Sequence, residues 1–142
     1  MAIVVPADEM EAFLDEVFPQ VKGMFGIDHL DDDRLIMRLH AGEQHLRPGG
    51  TVSGPAMFGL ADVAAYVATM ARIGKEALAV TTNCSIDFMR KPVAGADVIA
   101  EARVLKLGRA LSVTDVLLFS EGQPEPVARA TLTYSIPPKR SA

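Results

Sequence analysis

One stretch constrains this chain more than any other. From residue 55 to residue 73 nearly every side chain is apolar, all round a helical wheel, yet Asp62 stands in the middle. A helix apolar on every side must be covered on every side, by protein or by lipid. Asp62 decides between the two. A charge at mid-span costs about 3 kcal/mol in a bilayer, and the stretch is rich in alanine rather than leucine or isoleucine. It therefore reads as a helix buried inside protein and not as a membrane span. Ser53 is its predicted N-cap, and Pro55 falls in the first turn, where a missing N–H costs nothing.

The rest of the chain supplies the cover. Residues 7–18 have helical spacing, with Met10, Phe13, Leu14, Val17 and Phe18 on one stripe and Asp8, Glu9 and Glu11 near the start. Gly23 and Gly26 interrupt it. A short strand is predicted at 24–27, a turn at Asp31-Asp32-Asp33, and a strand at 34–40 with Leu35, Met37 and Leu39 on one face. After the long helix, Val80, Thr82, Cys84, Ile86 and Phe88 alternate with Thr81, Asn83, Ser85 and Asp87. Further strands are predicted at 97–106 and 110–120, joined at Gly108-Arg109, and at 127–136. The order is helix, two strands, long helix, four strands. That is an α+β chain: an antiparallel sheet wrapped around a central helix (about 55–73), plus an N-terminal helix (about 7–18). No linker or repeat divides residues 1–142, so one domain is expected. A sheet covers one flank of the helix; the other flank calls for a second copy of the chain, and so for a homo-oligomer.

Composition narrows the function. Fourteen basic against 18 acidic residues give a net charge of −4, which argues against a nucleic-acid surface. A single cysteine, Cys84, excludes an internal disulfide and paired-cysteine metal sites. His29, His40 and His45 lack metal-ligand spacing. No signal-peptide pattern opens the chain, so a cytoplasmic location is expected.

Two stretches carry the chemistry: His45-Leu46-Arg47-Pro48-Gly49-Gly50-Thr51-Val52-Ser53-Gly54-Pro55 and Phe58-Gly59-Leu60-Ala61-Asp62. In order and spacing they resemble the signature of the PaaI-like (phenylacetate-pathway type) acyl-CoA thioesterases of the hot-dog fold. That pattern runs His-Leu-Asn, a glycine loop, His-Gly-Gly, then Leu-Ala-Asp in the helix. The strand residues 81–88, Arg90-Lys91-Pro92, Gly95 and Gly108-Arg109 resemble the family's sheet. Arg47 stands at the Asn, Ser53 at the His and Pro55 at the second Gly, while Gly54 and Asp62 keep the family residues. The resemblance implies that Asp62 is nucleophile or general base toward a thioester carbonyl and that the Gly54 N–H polarises that carbonyl. It also places Thr81 where a hydroxyl orients water, Arg47 where a side chain orients substrate or water, and Arg90, Lys91 and Arg109 near coenzyme A phosphates. Coenzyme A is then part of the substrate; no cofactor and no metal are expected.

Plainer readings stand beside these. Asp62 could pair structurally with a loop or an arginine, and Gly54 could simply allow a tight turn. Arg47 could be an exposed loop residue. Ser53 could be an N-cap and nothing more; it sits in no Gly-x-Ser-x-Gly elbow. Thr81 could be one structural hydroxyl among many, and Cys84 reads as core. Gly54 and Asp62 are eight residues apart, roughly 12 Å along a helix. One thioester meets both only if they come from different chains, which implies a dimer with shared sites. The expected activity is hydrolysis of a small or medium acyl-CoA. The alternatives are a non-hydrolytic acyl-CoA binder and a hot-dog dehydratase or hydratase. The sequence disfavours the last, because no histidine falls near the helix start.

Overall fold

The structure, a computed structural model, describes residues 1–138. Its elements are α1 (Ala7–Val17), β1 (Phe25–Leu30), β2 (Leu35–Leu39), α2 (Gly54–Ile73), β3 (Val80–Phe88), β4 (Val98–Leu107), β5 (Leu111–Ser120) and β6 (Pro126–Ser135). All six strands form one antiparallel sheet in the order β1-β2-β4-β5-β6-β3. This is the expected architecture, a sheet wrapped around a long helix with a second helix at the N-terminus. Boundaries shift slightly. β1 runs past the predicted end at residue 27 because it pairs with β2 through an irregularity between Ile27 and His29. The aspartate turn forms as expected: Asp31 Oδ1 accepts the N–H groups of Asp33 (2.8 Å) and Arg34 (2.9 Å).

Small side chains let α2 lie close on the sheet. Ala61, Ala64, Ala65, Ala68 and Ala71 of the helix and Ala100 and Ala102 of β4 are all buried. Larger residues fill the space around that contact: Leu35, Met37 and Leu39 on β2, Leu118 on β5 and Leu132 on β6 have no exposed surface. Native cores gain from such interlocking of large and small groups. One buried polar pair is satisfied internally, Thr69 Oγ1 to Ser112 Oγ at 2.9 Å. By length and composition α2 could cross a membrane, but 72% of its most apolar window is buried inside the fold.

Cover is uneven along α2. Every residue from Val63 to Arg72 is buried. The N-terminal segment contributes: the N–H groups of Val4 and Val5 donate to Ala71 O at 2.7 and 3.2 Å, and Met10 and Leu14 of α1 join the same core. The expectation that a second chain must cover the far flank is therefore corrected for this half, which the chain covers by itself. In the first half, Pro55 and Phe58 remain exposed, and Gly59 and Asp62 are half-buried. These positions recur at helical spacing and form one open stripe.

Candidate active site

The site begins where α2 begins. The preceding loop doubles back: Leu46 bridges Val52, the Arg47 N–H donates to Thr51 O at 2.9 Å, and the Gly50 N–H donates to Arg47 O at 3.0 Å. Gly49 and Gly50 make the reversal possible with φ of 102° and 84°, a region that suits glycine. Ser53 caps the helix as predicted, its Oγ accepting the Ala56 N–H at 3.2 Å. Gly54 follows as the first helical residue, and its N–H meets no acceptor among the described residues. Such a donor lies at the positive end of the helix dipole. A groove of about 440 Å³ opens beside it, lined by Arg47, Gly54, Met57, Phe88, Arg90 and Lys91 among others. A Cβ at position 54 would sit 3.5 Å from the Phe88 ring, an ordinary packing distance.

Asp62 sits two turns further along the open stripe. Two hydroxyls hold it: Thr81 Oγ1 donates to Oδ1 at 2.5 Å, and Tyr134 OH donates to the same oxygen at 2.8 Å. Sheet register explains why both reach one atom. Thr81 and Tyr134 are direct partners on β3 and β6, and the register slips between Thr81 and Asn83. This bulge corrects the uninterrupted alternation expected over 80–88. Cys84 and Ile86 face inward, but Thr82 is the extra residue and is exposed, so Thr81 takes the inward place instead. Val80 and Phe88 at the ends of β3, one of the two edge strands, are 56% and 51% exposed rather than core.

Sequence reasoning misses Tyr134. The available signal is a tyrosine at an inward position of the last strand, whose buried hydroxyl needs a partner. Burial pushes its phenol well above the usual range, and the Asp62 charge adds to that, so it remains a donor. Its ring stacks on Tyr66 with centroids 5.9 Å apart, and Tyr66 OH donates to Ala77 O at 2.7 Å. A hollow of about 270 Å³ lies beside this cluster, walled by Phe18, Tyr66, Val80, Thr81 and Tyr134 among others. Burial and the Asp62 charge also push the Cys84 thiol up, which keeps it a thiol and a poor nucleophile.

The remaining candidates divide. Arg47, Gly54, Arg90 and Lys91 share the groove, whereas Thr81 belongs with Asp62. Arg90 is already engaged by Glu125 at 2.9 Å and by Pro126 O at 3.1 Å. Arg47 and Lys91 have no ion-pair partner among the described residues, and within one chain Arg47 does not reach Asp62. Arg109 lies with Arg72 around a separate groove at the other end of α2, and a 20-residue helix is about 30 Å long. The sequence-based view that no histidine falls near the helix start is corrected. The folded-back loop brings His45 there, its carbonyl oxygen accepting the Ser53 N–H at 2.8 Å. Its ring is only 5% exposed and Nδ1 accepts the Gly42 N–H at 2.9 Å, so it is packed under the loop rather than turned toward the groove.

Comparison with known proteins gives the family and the fold. Residues 49–127 match the family model described as the thioesterase superfamily. A thioesterase candidate from Silicibacter sp. TM1040 is 60% identical over 97% of this chain and 96% of its own, with a TM-score of 0.92. A variant of the phenylacetic acid degradation protein PaaI from Thermus thermophilus is 28% identical, with 84% and 99% of the two chains covered and a TM-score of 0.70. Zebrafish thioesterase superfamily member 2, at 21% identity, shares the fold over 94% and 99% of the two chains with a TM-score of 0.81. No match is found among curated proteins.

Proposed function

The chain belongs to the hot-dog thioesterase superfamily, and on that premise we propose that it hydrolyses a short or medium acyl-CoA to the free acid and CoA. One observation carries the reading. The only charge on α2 before its last turn is a carboxylate on the open stripe, held by two hydroxyls from the sheet. No cation neutralises it among the described residues, and its second oxygen has no hydrogen-bond partner there.

Either of two steps uses that carboxylate. As a base, Asp62 takes a proton from water; the water oxygen bonds to the carbonyl carbon, the C–S bond breaks, and the CoA sulfur leaves with that proton. As a nucleophile, Asp62 bonds to the carbonyl carbon, CoA leaves as the thiolate, and water then cleaves the mixed anhydride. In both, negative charge builds on the carbonyl oxygen, and a free helix N-terminal amide stabilises it. Gly54 supplies that amide, but about 12 Å separates it from Asp62 of its own chain. The partner's Gly54 therefore serves Asp62 in a two-fold dimer. The outer position of β3, with exposed Val80 and Phe88, and the exposed Pro55 and Phe58 of α2 support such a pairing.

Arg47 and Lys91 are free to meet CoA phosphates at the groove mouth, with Arg90 shared between substrate and Glu125. Arg109 takes part only if another protomer brings it to the groove. A second reading, acyl-CoA binding without hydrolysis, draws on Arg47 and Ser53 standing in place of the family's Asn and His. Release of CoA thiol from a panel of acyl-CoAs separates the two. Turnover supports hydrolysis; tight binding with no thiol released supports the binder; an enoyl product would point to a dehydratase instead.

A further inference from the structure

Hydrogen bonding makes the two oxygens of Asp62 unequal. Thr81 and Tyr134 both donate to Oδ1, and Tyr134 OH also lies 2.9 Å from the Asp62 carbonyl oxygen. Oδ2 has no partner among the described residues. The two donors come from adjacent strands, set opposite each other by the β3–β6 register. An aspartate turns freely about its last side-chain torsion in the absence of such contacts, and each half-turn exchanges the two oxygens. Two donors on one oxygen stop that exchange. The Tyr134 donor is itself fixed, since its phenol stays protonated, its ring stacks on Tyr66, and Tyr66 is tied to Ala77 O.

We propose that Tyr134 is a positioning residue for hydrolysis: together with Thr81 it pins Oδ1 of Asp62, so that Oδ2 alone is presented to the water or thioester. The proposal rests on the reading of Asp62 as the reacting group. It assigns Tyr134 no contact with substrate. Its work is orientation, and loss of orientation is costly because small misplacements of a reacting atom slow the chemical step far more than they weaken binding. Asp62, Thr81 and Tyr134 lie in one chain, so the device is complete in each protomer even where the carbonyl-polarising amide comes from the partner.

Tyr134→Phe is the direct test, because it removes the hydroxyl and keeps the ring on Tyr66. The expected result is a fall in kcat of about tenfold, the scale of one hydrogen bond to a charged group, with KM changed less than about twofold and the thermal midpoint lowered by a few degrees, because the same bond is lost from the folded state. Thr81→Val should give a similar kcat loss, and Thr81→Ser should recover most of it by restoring a hydroxyl. The double variant Thr81→Val/Tyr134→Phe should lose more than either single one. Asp62→Asn is measured alongside. If Asp62→Asn is inactive while Tyr134→Phe turns over within twofold of the unmodified protein, positioning by Tyr134 is wrong and the Asp62 assignment survives. If KM rises in place of a kcat loss, Tyr134 touches substrate and the proposal also fails. If Asp62→Asn retains full turnover, the assignment of Asp62 falls and the proposal falls with it. Should Tyr134→Phe fail to fold, the Thr81 pair decides: Val and Ser variants of equal activity overturn the pinning of Oδ1.

Discussion

The two halves of α2 are similar in composition and differ in what faces them. From Val63 to Arg72 the helix is buried throughout, closed by the sheet, the N-terminal segment and α1. From Gly54 to Asp62 it exposes Pro55 and Phe58 and leaves Asp62 half-buried. Hydrophobicity does not separate the halves, since Phe58 is as apolar as anything in the second. What separates them is the open stripe of the first half, where Pro55 and Phe58 stay exposed although Met57, Leu60 and Ala61 of the same turns are buried. An apolar stripe that ends on a carboxylate is a surface awaiting completion, whereas the second half is finished packing. The proposed function places the chemistry in the first half and leaves stability to the second, and that division can be broken by experiment.

The largest effect is expected from the first half. Asp62→Asn and Gly54→Pro should each lower turnover by more than about a hundredfold while the protein stays folded. Proline suits the first helical position, and Ser53 already has the extended ψ of 159° that a following proline favours. Co-refolding the two inactive variants adds a sharper test. If each site takes Gly54 from one chain and Asp62 from the other, half of the dimers are mixed and each carries one intact site, so about a quarter of the activity returns. A mixture that contains mixed dimers and is still inactive would show that one chain supplies both groups.

The second half should answer in stability. Ala68 is fully buried on α2, and Ala68→Leu inserts volume into a packed contact. A loss of about 1–3 kcal/mol is expected in urea unfolding, the usual cost of overpacking, with turnover per folded molecule kept. If turnover collapses while stability holds, the two halves are not independent and the comparison fails.

Legibility in the sequence follows the same division. The strands and α2 are readable because their signals are local: period-two alternation, the Ser53 cap, the aspartate turn. The mid-helix Asp62 is readable because a charge in an apolar helix is anomalous in one dimension. Tyr134 is not. Its meeting with Asp62 depends on the register of β6 against β3, and on a bulge at Thr82 that shifts Thr81 by one position. Nothing within a few residues of Tyr134 encodes either. His45 is hidden for a related reason, since eight positions of chain fold back to place its carbonyl against Ser53. Arg109 groups with Arg90 and Lys91 by residue type, and only the length of α2 shows that one chain holds them at opposite ends.

The smallest predicted effect tests the boundary of the active half. Ser53 stands where PaaI-like thioesterases carry a histidine, but here its Oγ accepts the Ala56 N–H. A cap oxygen engaged in this way contributes to the helix start, and its removal costs about 1 kcal/mol. Ser53→Ala should therefore lower the urea midpoint modestly and leave kcat within about twofold, since no step of the chemistry passes through this hydroxyl. The backbone of residue 53 matters more than its side chain, because its N–H ties the helix to His45 O and that contact survives the substitution. Were kcat to fall tenfold with stability intact, Ser53 would have a second task beside the Gly54 amide. The active part of α2 would then begin one residue before the helix does.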